Sequence, residues 1–216
     1  MKLVAICGFA AEARLLRRHG IEARVTAADP ARAASEAEAA LAQGATVLMS
    51  FGVAGGLDPA LRTGDLLLPR AVTAPSGERF AVDAALHGAL RSRMAANDSD
   101  LLGVDRVVMD STAKAKLHAQ GGAAAVDLES LAVARVATAH GRPFIVLRAV
   151  ADEASRSLPP AALVGLDTEG RAAPRRVLAA LLRRPRQLPA LIALARDTRR
   201  ALASLSAAPA ALQGIS

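Results

Sequence analysis

Two carboxylates stand two residues apart in an otherwise nearly apolar stretch of the chain. Asp127 and Glu129 lie in the segment AVDLESLAVARVA, where burying an unpaired charge costs several kcal/mol. A second segment, PFIVLRAVADEAS, places Arg148 and Asp152 at the end of a hydrophobic run. Ionisable groups with apolar neighbours have shifted pKa values, as acids and bases in proton-transfer sites do. We therefore interpret the two segments together.

Two further chemical candidates follow earlier hydrophobic runs. Glu12 comes shortly after KLVAICGF, and the segment GVAGG, which contains Val53 and Gly55, follows TVLMSF. Each has an ordinary structural explanation, since the helix dipole favours an acid in a first turn and glycines form tight turns. Glu129 and Asp152 could likewise cap helices. A functional interpretation therefore depends on whether the four segments meet in the fold.

Short apolar runs alternate with alanine-rich segments of helical periodicity. KLVAICGF predicts a strand followed by the helix AAEARLLRRHG, and ARAASEAEAALAQG predicts a helix that ends at Gly44. TVLMSFGVAGGL predicts a buried strand that runs into a glycine-rich turn, and GDLLLPRAVTA predicts a further strand. AVDLESLAVARVATAHG begins extended and becomes a helix, and RPFIVLRAVAD is a strand that ends at the acid.

This alternation predicts an α/β fold. Buried strands without polar alternation are typical of a largely parallel sheet that helices cover on both faces. With 216 residues, 52% of them apolar, the chain can bury a full core. Ligands of such sheets bind at the carboxyl ends of the strands, and all four candidate segments fall at such ends.

The order and spacing of these segments resemble the purine nucleoside phosphorylase and nucleosidase superfamily, especially the 5′-methylthioadenosine/S-adenosylhomocysteine nucleosidases. GVAGGLDPALRTGD matches the family pattern GxAGGLxxxxxxGD, VDLE matches the ribose motif VEME, and RAVAD matches an Arg-x-x-x-Asp after a final strand. The tail LLRRPRQLPAL looks most like the hopanoid-biosynthesis-associated phosphorylases, which are thought to remove adenine from adenosylhopane. The resemblance implies a phosphorylase-like three-layer α/β/α fold with a mixed, largely parallel sheet and a C-terminal helical extension.

The resemblance also implies cleavage of an N-glycosidic bond and a role for each candidate. Asp152 matches the acid that protonates N7 of the departing purine, and Glu12 matches the residue that orients the nucleophile and is the general base toward water. Glu129 matches the residue that holds the ribose hydroxyls, and Leu128 would pack beneath the sugar. Arg148 could position the water or a phosphate. Acids are needed on both sides because the sugar becomes positive and the base negative.

Some positions depart from the family pattern. Val53 and Ala151 stand where the nucleosidases usually have serine or a similar residue, which leaves the nucleophile open between water and inorganic phosphate. Asp127 replaces a glutamate at a position that is often structural. The aromatic residues that would sandwich adenine are not obvious, and the wall expected around Val108 is aliphatic. Such a wall still buries a purine, at about 25 cal/mol per Å².

Other kinds of site find little support in the sequence. The histidines are scattered, so we predict no metal site. GVAGG lacks the Lys and Thr of a P-loop and the spacing of a dinucleotide site, so no cofactor is predicted, with phosphate open as a co-substrate. We expect Cys7 to be an inert buried residue. Lys114 and Lys116 could reach a phosphate, but an exposed helix face is the preferred interpretation.

The net charge of +7 is concentrated near the C-terminus. Residues 171–200 hold nine arginines and one acid, a net charge of +8, so the rest of the chain is almost neutral. With 2% aromatic residues and no Trp or Tyr, the chain lacks the stacking platforms of single-strand binders. We therefore predict no nucleic-acid partner, and the resemblance implies a small nucleoside as the ligand.

The basic segment also has an amphipathic pattern. Its apolar residues recur at three- and four-residue spacings between arginines, and Pro185 and Pro189 divide it into two helices. Either this stripe packs on the domain or a partner subunit, or the tail rests on an anionic membrane surface. The apolar stripe consists of Val177, Leu178, Leu181, Leu182, Leu188, Leu191, Ile192 and Ala195.

These observations give one prediction for the whole chain. A nucleoside phosphorylase-like domain spans 1–170, and a basic helical extension of the same domain spans 171–216. One cysteine and an apolar N-terminal run too short for a signal peptide favour a cytoplasmic protein, with peripheral contact at the inner face of the membrane left open. We expect a homo-oligomer that releases adenine from a 5′-substituted adenosine, with adenosylhopane as the substrate. The alternatives are a housekeeping methylthioadenosine/S-adenosylhomocysteine nucleosidase and a non-catalytic nucleoside-binding relative.

Overall fold

One mixed sheet forms the centre of the structure. The computed structural model describes residues 1–165 and 167–212, and nine strands of this part belong to the sheet. The strands are β1 (Leu3–Cys7), β2 (Glu22–Val25), β3 (Val47–Gly56), β4 (Leu66–Leu67), β5 (Ala71–Thr73), β6 (Arg79–Ala81), β7 (Leu101–Gly103), β8 (Ala125–Asp127) and β9 (Phe144–Asp152). The helices are α1 (Ala10–Arg17), α2 (Pro30–Ala42), α3 (Ala84–Arg91), α4 (Ser111–Gly121), α5 (Ser130–Ala139), α6 (Pro174–Arg183), α7 (Leu188–Leu205) and α8 (Ala208–Leu212), with 3₁₀ turns at Pro160–Val164 and Pro185–Gln187.

The strand pairing is largely parallel, as predicted. The main path runs β2-β1-β3-β8-β7-β5-β6, and β9 pairs with β3 and β4. Among the described strand pairs, five are parallel and three are antiparallel. The parallel pairing of β3 with both β1 and β9 brings the carboxyl ends of these three strands to one edge of the sheet.

Helices cover both faces of the sheet. Because β2 and β3 lie on opposite sides of β1, right-handed crossovers place α1 and α2 on opposite faces. The helix α2 packs against α5, and α1 contacts α7. The apolar residues of β1, among them Val4 and Ile6, are completely buried between these layers. The predicted three-layer α/β/α fold is therefore confirmed.

Two segments differ from the sequence-based prediction. GVAGG is not a turn but the end of β3, because Gly55 and Gly56 continue the sheet by pairing with β8. GDLLLPRAVTA is not one strand but contains β4 and β5, which pair with different partners on either side of Pro69. Proline lacks the N–H that a continuous ladder would need.

The C-terminal segment forms two main helices, as predicted. The chain breaks at Pro185, whereas Pro189 lies in the first turn of α7, where no N–H is needed. The helix α7 packs on β9 and buries Ala201 and Leu205. Residues 213–216 of the predicted extension lie outside the described residues.

Much of the apolar stripe of this segment is exposed, although Val177, Leu181 and Leu191 are half-buried. Leu178, Leu182, Leu188 and Ile192 are 47–79% exposed, and α6 has no buried residue. The stripe is therefore largely uncovered in the single chain, because α7 turns a different face toward β9, and a partner subunit or a membrane surface stays open as its partner. None of the described helices is long and apolar enough to span a bilayer.

Candidate active site

A cavity of about 380 Å³ lies at the ends of β1, β3, β8 and β9. Residues from all four candidate segments line this cavity. Of the predicted site residues, those that line the cavity are Glu12, Val53, Gly55, Val108, Leu128, Glu129 and Asp152. Arg148 is the exception and lies behind the wall. The sheet topology therefore brings together side chains that are up to 140 residues apart in sequence.

Glu12 enters the cavity from the first turn of α1. The backbone N–H groups of Phe9 and Val53 each donate to its carboxylate at 2.8 Å, so it caps its own helix and is also tied to β3. A Cβ atom at position 52 would lie 2.5 Å from the carboxyl of Glu12, which explains the glycine there. Burial, with a contribution from Glu129, raises the pKa of Glu12 to about 8, although Arg148 and the two hydrogen bonds oppose the shift.

Glu129 lies at the junction between β8 and α5. Although it is the N-cap residue of α5, its side chain makes no cap hydrogen bond, so the capping explanation does not apply. Its carboxylate instead passes over Gly8, where a Cβ atom would lie 2.7 Å from Oε1. Burial raises the pKa of Glu129 to about 7, with Arg148 opposing and Asp127 reinforcing the shift.

Arg148 holds a group of buried polar side chains that we call the arginine cluster, which consists of Arg148, Asp127, Glu129, Ser50 and Ser130. Its Nη2 lies 2.5 Å from Asp127 Oδ2, 3.0 Å from Glu129 Oε2 and 2.6 Å from Ser50 Oγ. Ser130 Oγ donates to Asp127 Oδ2 at 2.5 Å. The guanidinium is thus engaged by its neighbours and does not line the cavity, contrary to the expectation that it would position a water or phosphate directly.

Asp152 lies at the end of β9, on the side of Gly55, and forms with Lys114 what we call the lysine pair. Lys114 Nζ contacts Asp152 Oδ2 and donates to the carbonyl oxygen of Glu153 at 3.0 Å. Burial raises the pKa of Asp152, and Lys114 opposes this shift. Lys114 is 1% exposed, so the expectation of an exposed helix face is wrong for Lys114, whereas Lys116 is exposed as expected. A buried ammonium needs a carboxylate partner, and Asp152 supplies it.

Residues that the sequence analysis did not single out also line the cavity. Ala27 and Ala28, in the loop between β2 and α2, both have left-handed backbones with φ of 58° and 59°. Non-glycine residues in this conformation are held there by the surrounding fold and cluster at functional sites. Alanine gives no sequence signal for such a conformation. Asp167 also lines the cavity. The apolar part of the lining consists of Val104, Val107, Val108, Met109, Leu158, Leu163 and Leu194.

The charges of the cavity are mostly negative. Glu12, Asp127 and Glu129 surround a single guanidinium, so their side of the cavity carries excess negative potential when they are ionised. Such a surface stabilises positive charge that develops on a bound molecule. Asp152 stands apart from this cluster with a raised pKa, as a proton donor requires. Among the described residues, no group of three or more His, Cys, Asp or Glu side chains is arranged so that it could hold a metal ion.

A model of a known family matches this chain over residues 10–183, and its description is the phosphorylase superfamily. The chain belongs to the phosphorylase superfamily. The prediction of an enzyme class that cleaves glycosidic bonds is confirmed at this level. No match was found among curated protein sequences.

Solved structures show the same superfamily fold. The 5′-methylthioadenosine/S-adenosylhomocysteine nucleosidase from Neisseria meningitidis aligns with a TM-score of 0.70 and 21% identity, covering 98% of this chain and 97% of the other. The corresponding nucleosidase from Helicobacter pylori gives 0.69 and 16%, with 96% and 97% covered. The futalosine hydrolase of Helicobacter pylori gives 0.68 and 16%, with 95% of each chain covered. At these identities the likeness establishes the fold of this superfamily member.

Proposed function

We propose that this chain hydrolyses the N-glycosidic bond of a 5′-substituted adenosine and releases adenine. The observation that carries the proposal is one cavity with a buried, separately held acid, Asp152, and a second group of acids, Glu12 and Glu129. Solved structures of similar fold are nucleosidases and a hydrolase by name, which agrees with this chemistry.

Each acid has one step in the proposed reaction. The bond from C1′ to N9 breaks with its electron pair moving to the purine, and Asp152 gives its proton to N7. Glu129 accepts hydrogen bonds from the ribose hydroxyls and, with Leu128 beneath the sugar, holds the ring while it becomes positive. Water attacks C1′ and passes its proton to Glu12. The products are neutral adenine and the free sugar.

The lining of the cavity favours water over phosphate as the nucleophile. Among the described residues, those that line the cavity include five carboxylates and no lysine or arginine. Arg148 and Lys114 are engaged with carboxylates behind the wall. A phosphate dianion would therefore find no cation in the lining and would be repelled by each acid that is ionised. No cofactor takes part in the proposed reaction.

The apolar mouth of the cavity favours a large apolar 5′ substituent. Leu163 and Val107 line the cavity and are 58% and 42% exposed, so they offer apolar surface to a group that extends outward. Burial of such a group contributes about 25 cal/mol per Å². Together with the resemblance of the tail, this supports adenosylhopane as the substrate.

Adenine release from purified protein tests the function. We expect release from an adenosine with a long apolar 5′ group, at a rate that added phosphate does not change. Dependence on phosphate would contradict hydrolysis. Preference for methylthioadenosine would assign the chain to the housekeeping nucleosidases, and tight binding of both compounds without adenine release would leave the non-catalytic alternative.

The exposed stripe supports peripheral contact with an anionic membrane as part of the proposed function. Leu178 and Leu182 of α6 are exposed and lie between exposed arginines. The helix α6 contacts the 3₁₀ turn Pro160–Val164, and Leu163 of this turn lines the cavity. Basic residues contribute about 1 kcal/mol each near an anionic surface. An apolar 5′ group could then stay in the lipid while the adenosine enters the site. Cytoplasmic localisation and a homo-oligomer stay predictions.

Vesicle sedimentation tests this contact. We expect anionic vesicles to retain the full-length protein at low salt, neutral vesicles to retain little, and the double variant Leu178→Ser, Leu182→Ser to stay in the supernatant. Equal retention of wild type and variant would contradict the membrane contact. If the variant instead loses a dimer that light scattering detects in the wild type, the stripe belongs to a second copy of the chain.

A further inference from the structure

A buried lysine stands behind the acid that the sequence analysis identified, and nothing in the proposed reaction so far uses it. Lys114 comes from the first half of α4, and its Nζ contacts both Asp152 Oδ2 and the carbonyl oxygen of Glu153. It is 1% exposed and does not line the cavity. Lys116, two residues further along the same helix, is exposed. Lysine is rarely buried in this way without a specific partner.

The start of α4 is fixed relative to Asp152 by several hydrogen bonds. Ser157 Oγ accepts from the N–H of Ser111, and the N–H of Leu158 donates to the carbonyl oxygen of Met109 at 2.8 Å. These hydrogen bonds tie the segment after β9 to the start of α4. This arrangement holds the ammonium at one carboxylate oxygen, Oδ2, and leaves Oδ1 for a bound molecule.

The lysine pair also stands where the sequence departs from the family pattern. The resemblance implies a serine or similar residue at position 151, next to the acid, and this chain has alanine. Ala151 cannot hold the Asp152 carboxylate. In this chain a cation from α4, Lys114, contacts that carboxylate instead.

We propose that Lys114 is a positioning residue that orients Asp152 and tunes it as the proton donor to the departing base. This inference rests on the proposed function. When the bond from C1′ to N9 breaks and Asp152 gives its proton to N7, the aspartate becomes an anion in a desolvated place. Lys114 keeps its own protons throughout and stabilises that anion, which makes the neutral acid a stronger donor.

Several charges face Asp152. Lys114 approaches from α4, Arg156 from the segment after β9, and Asp197 from α7. Arg156 is paired with Asp197, so these two largely offset each other. Burial raises the pKa of Asp152 while Lys114 lowers it. Removal of Lys114 should therefore raise the pKa of Asp152 further.

The pH profile of kcat/KM tests this role. The donor must be protonated, so activity falls above the pKa of Asp152, and a neighbouring cation lowers a carboxyl pKa by about 1 to 3 pH units. In Lys114→Met we expect the basic limb to move to higher pH by that amount and kcat to fall about 10- to 100-fold. Lys116→Met is the matched control and should reproduce the wild-type profile.

A second measurement does not depend on activity. Carboxyl ¹³C NMR of the substrate-free protein, with Asp152 assigned by Asp152→Asn, should show Asp152 titrating at higher pH in Lys114→Met than in wild type. If Lys114→Met does not fold, Lys114→Gln removes the charge and keeps a donor for the carbonyl of Glu153. An unchanged titration and an unchanged basic limb in the folded variant would overturn the inference. An inactive wild type with the expected NMR shift would overturn the proposed function alone.

Discussion

The arginine cluster and the lysine pair both place a buried cation behind carboxylates that line the cavity, but they differ in the number of acids that each cation contacts. In the arginine cluster, one guanidinium contacts Asp127, Glu129 and Ser50, and its charge is divided between two acids. In the lysine pair, one ammonium contacts a single acid, Asp152. The cluster therefore keeps excess negative charge, whereas the pair is balanced when both groups are ionised.

This difference separates the two chemical tasks. Excess negative charge beside the cavity suits a sugar that becomes positive. A balanced pair suits an acid that must lose a proton in a desolvated place and be stabilised afterwards. The planar fork of arginine bridges two carboxylates, which the compact ammonium of lysine does less well. The identity of each cation thus follows from the number of acids it serves.

The largest expected effect concerns the lysine pair. Asp152→Asn keeps the shape of the side chain but removes the proton donor, so kcat for adenine release should fall about 10² to 10⁴-fold. Asp105→Asn, at an exposed aspartate, is the control. Near-normal release by Asp152→Asn would show that the pair is structural and that the proton comes from elsewhere.

A second prediction compares the cations by stability. Removing one partner of a buried ion pair costs about 3–5 kcal/mol. Arg148→Met should reach this range because Asp127 and Glu129 both lose their partner, whereas Lys114→Met should cost less because a single acid, Asp152, does. Urea unfolding at neutral pH measures both values. Equal losses would contradict the division of charge described above.

The smallest expected effect concerns pH. Glu12 has a pKa of about 8 and must be deprotonated to accept a proton from water. In wild type, kcat/KM should therefore fall about tenfold for each pH unit below that value. Glu12→Gln should lower activity and abolish this acid limb. If kcat/KM of the wild type stays constant down to pH 6, Glu12 is not the general base.

Much of the fold and of the cavity could be predicted from local patterns. The run KLVAICGF gives β1, RPFIVLRAVAD gives β9, and the spacing of Arg148 and Asp152 marks the end of that strand. The short strands β2, β6 and β7 were not predicted, because segments of three or four residues carry little periodic signal. The division of GDLLLPRAVTA into β4 and β5 was not predicted for the same reason, since these strands have two and three residues.

The amino-acid sequence by itself determined the α/β alternation, the basic amphipathic tail and the acids at strand ends, because each is a property of neighbouring residues along the chain. Only the tertiary structure decided the partners of those acids. Arg148 turned out to stand behind Glu129, and Lys114 was recognised as the partner of Asp152, 38 residues away. A lysine that pairs inside and a lysine that faces water, as Lys114 and Lys116 do, have the same local sequence context. Their difference arises because the fold turns Lys114 toward Asp152 at the end of β9, where it is buried, and leaves Lys116 exposed to water.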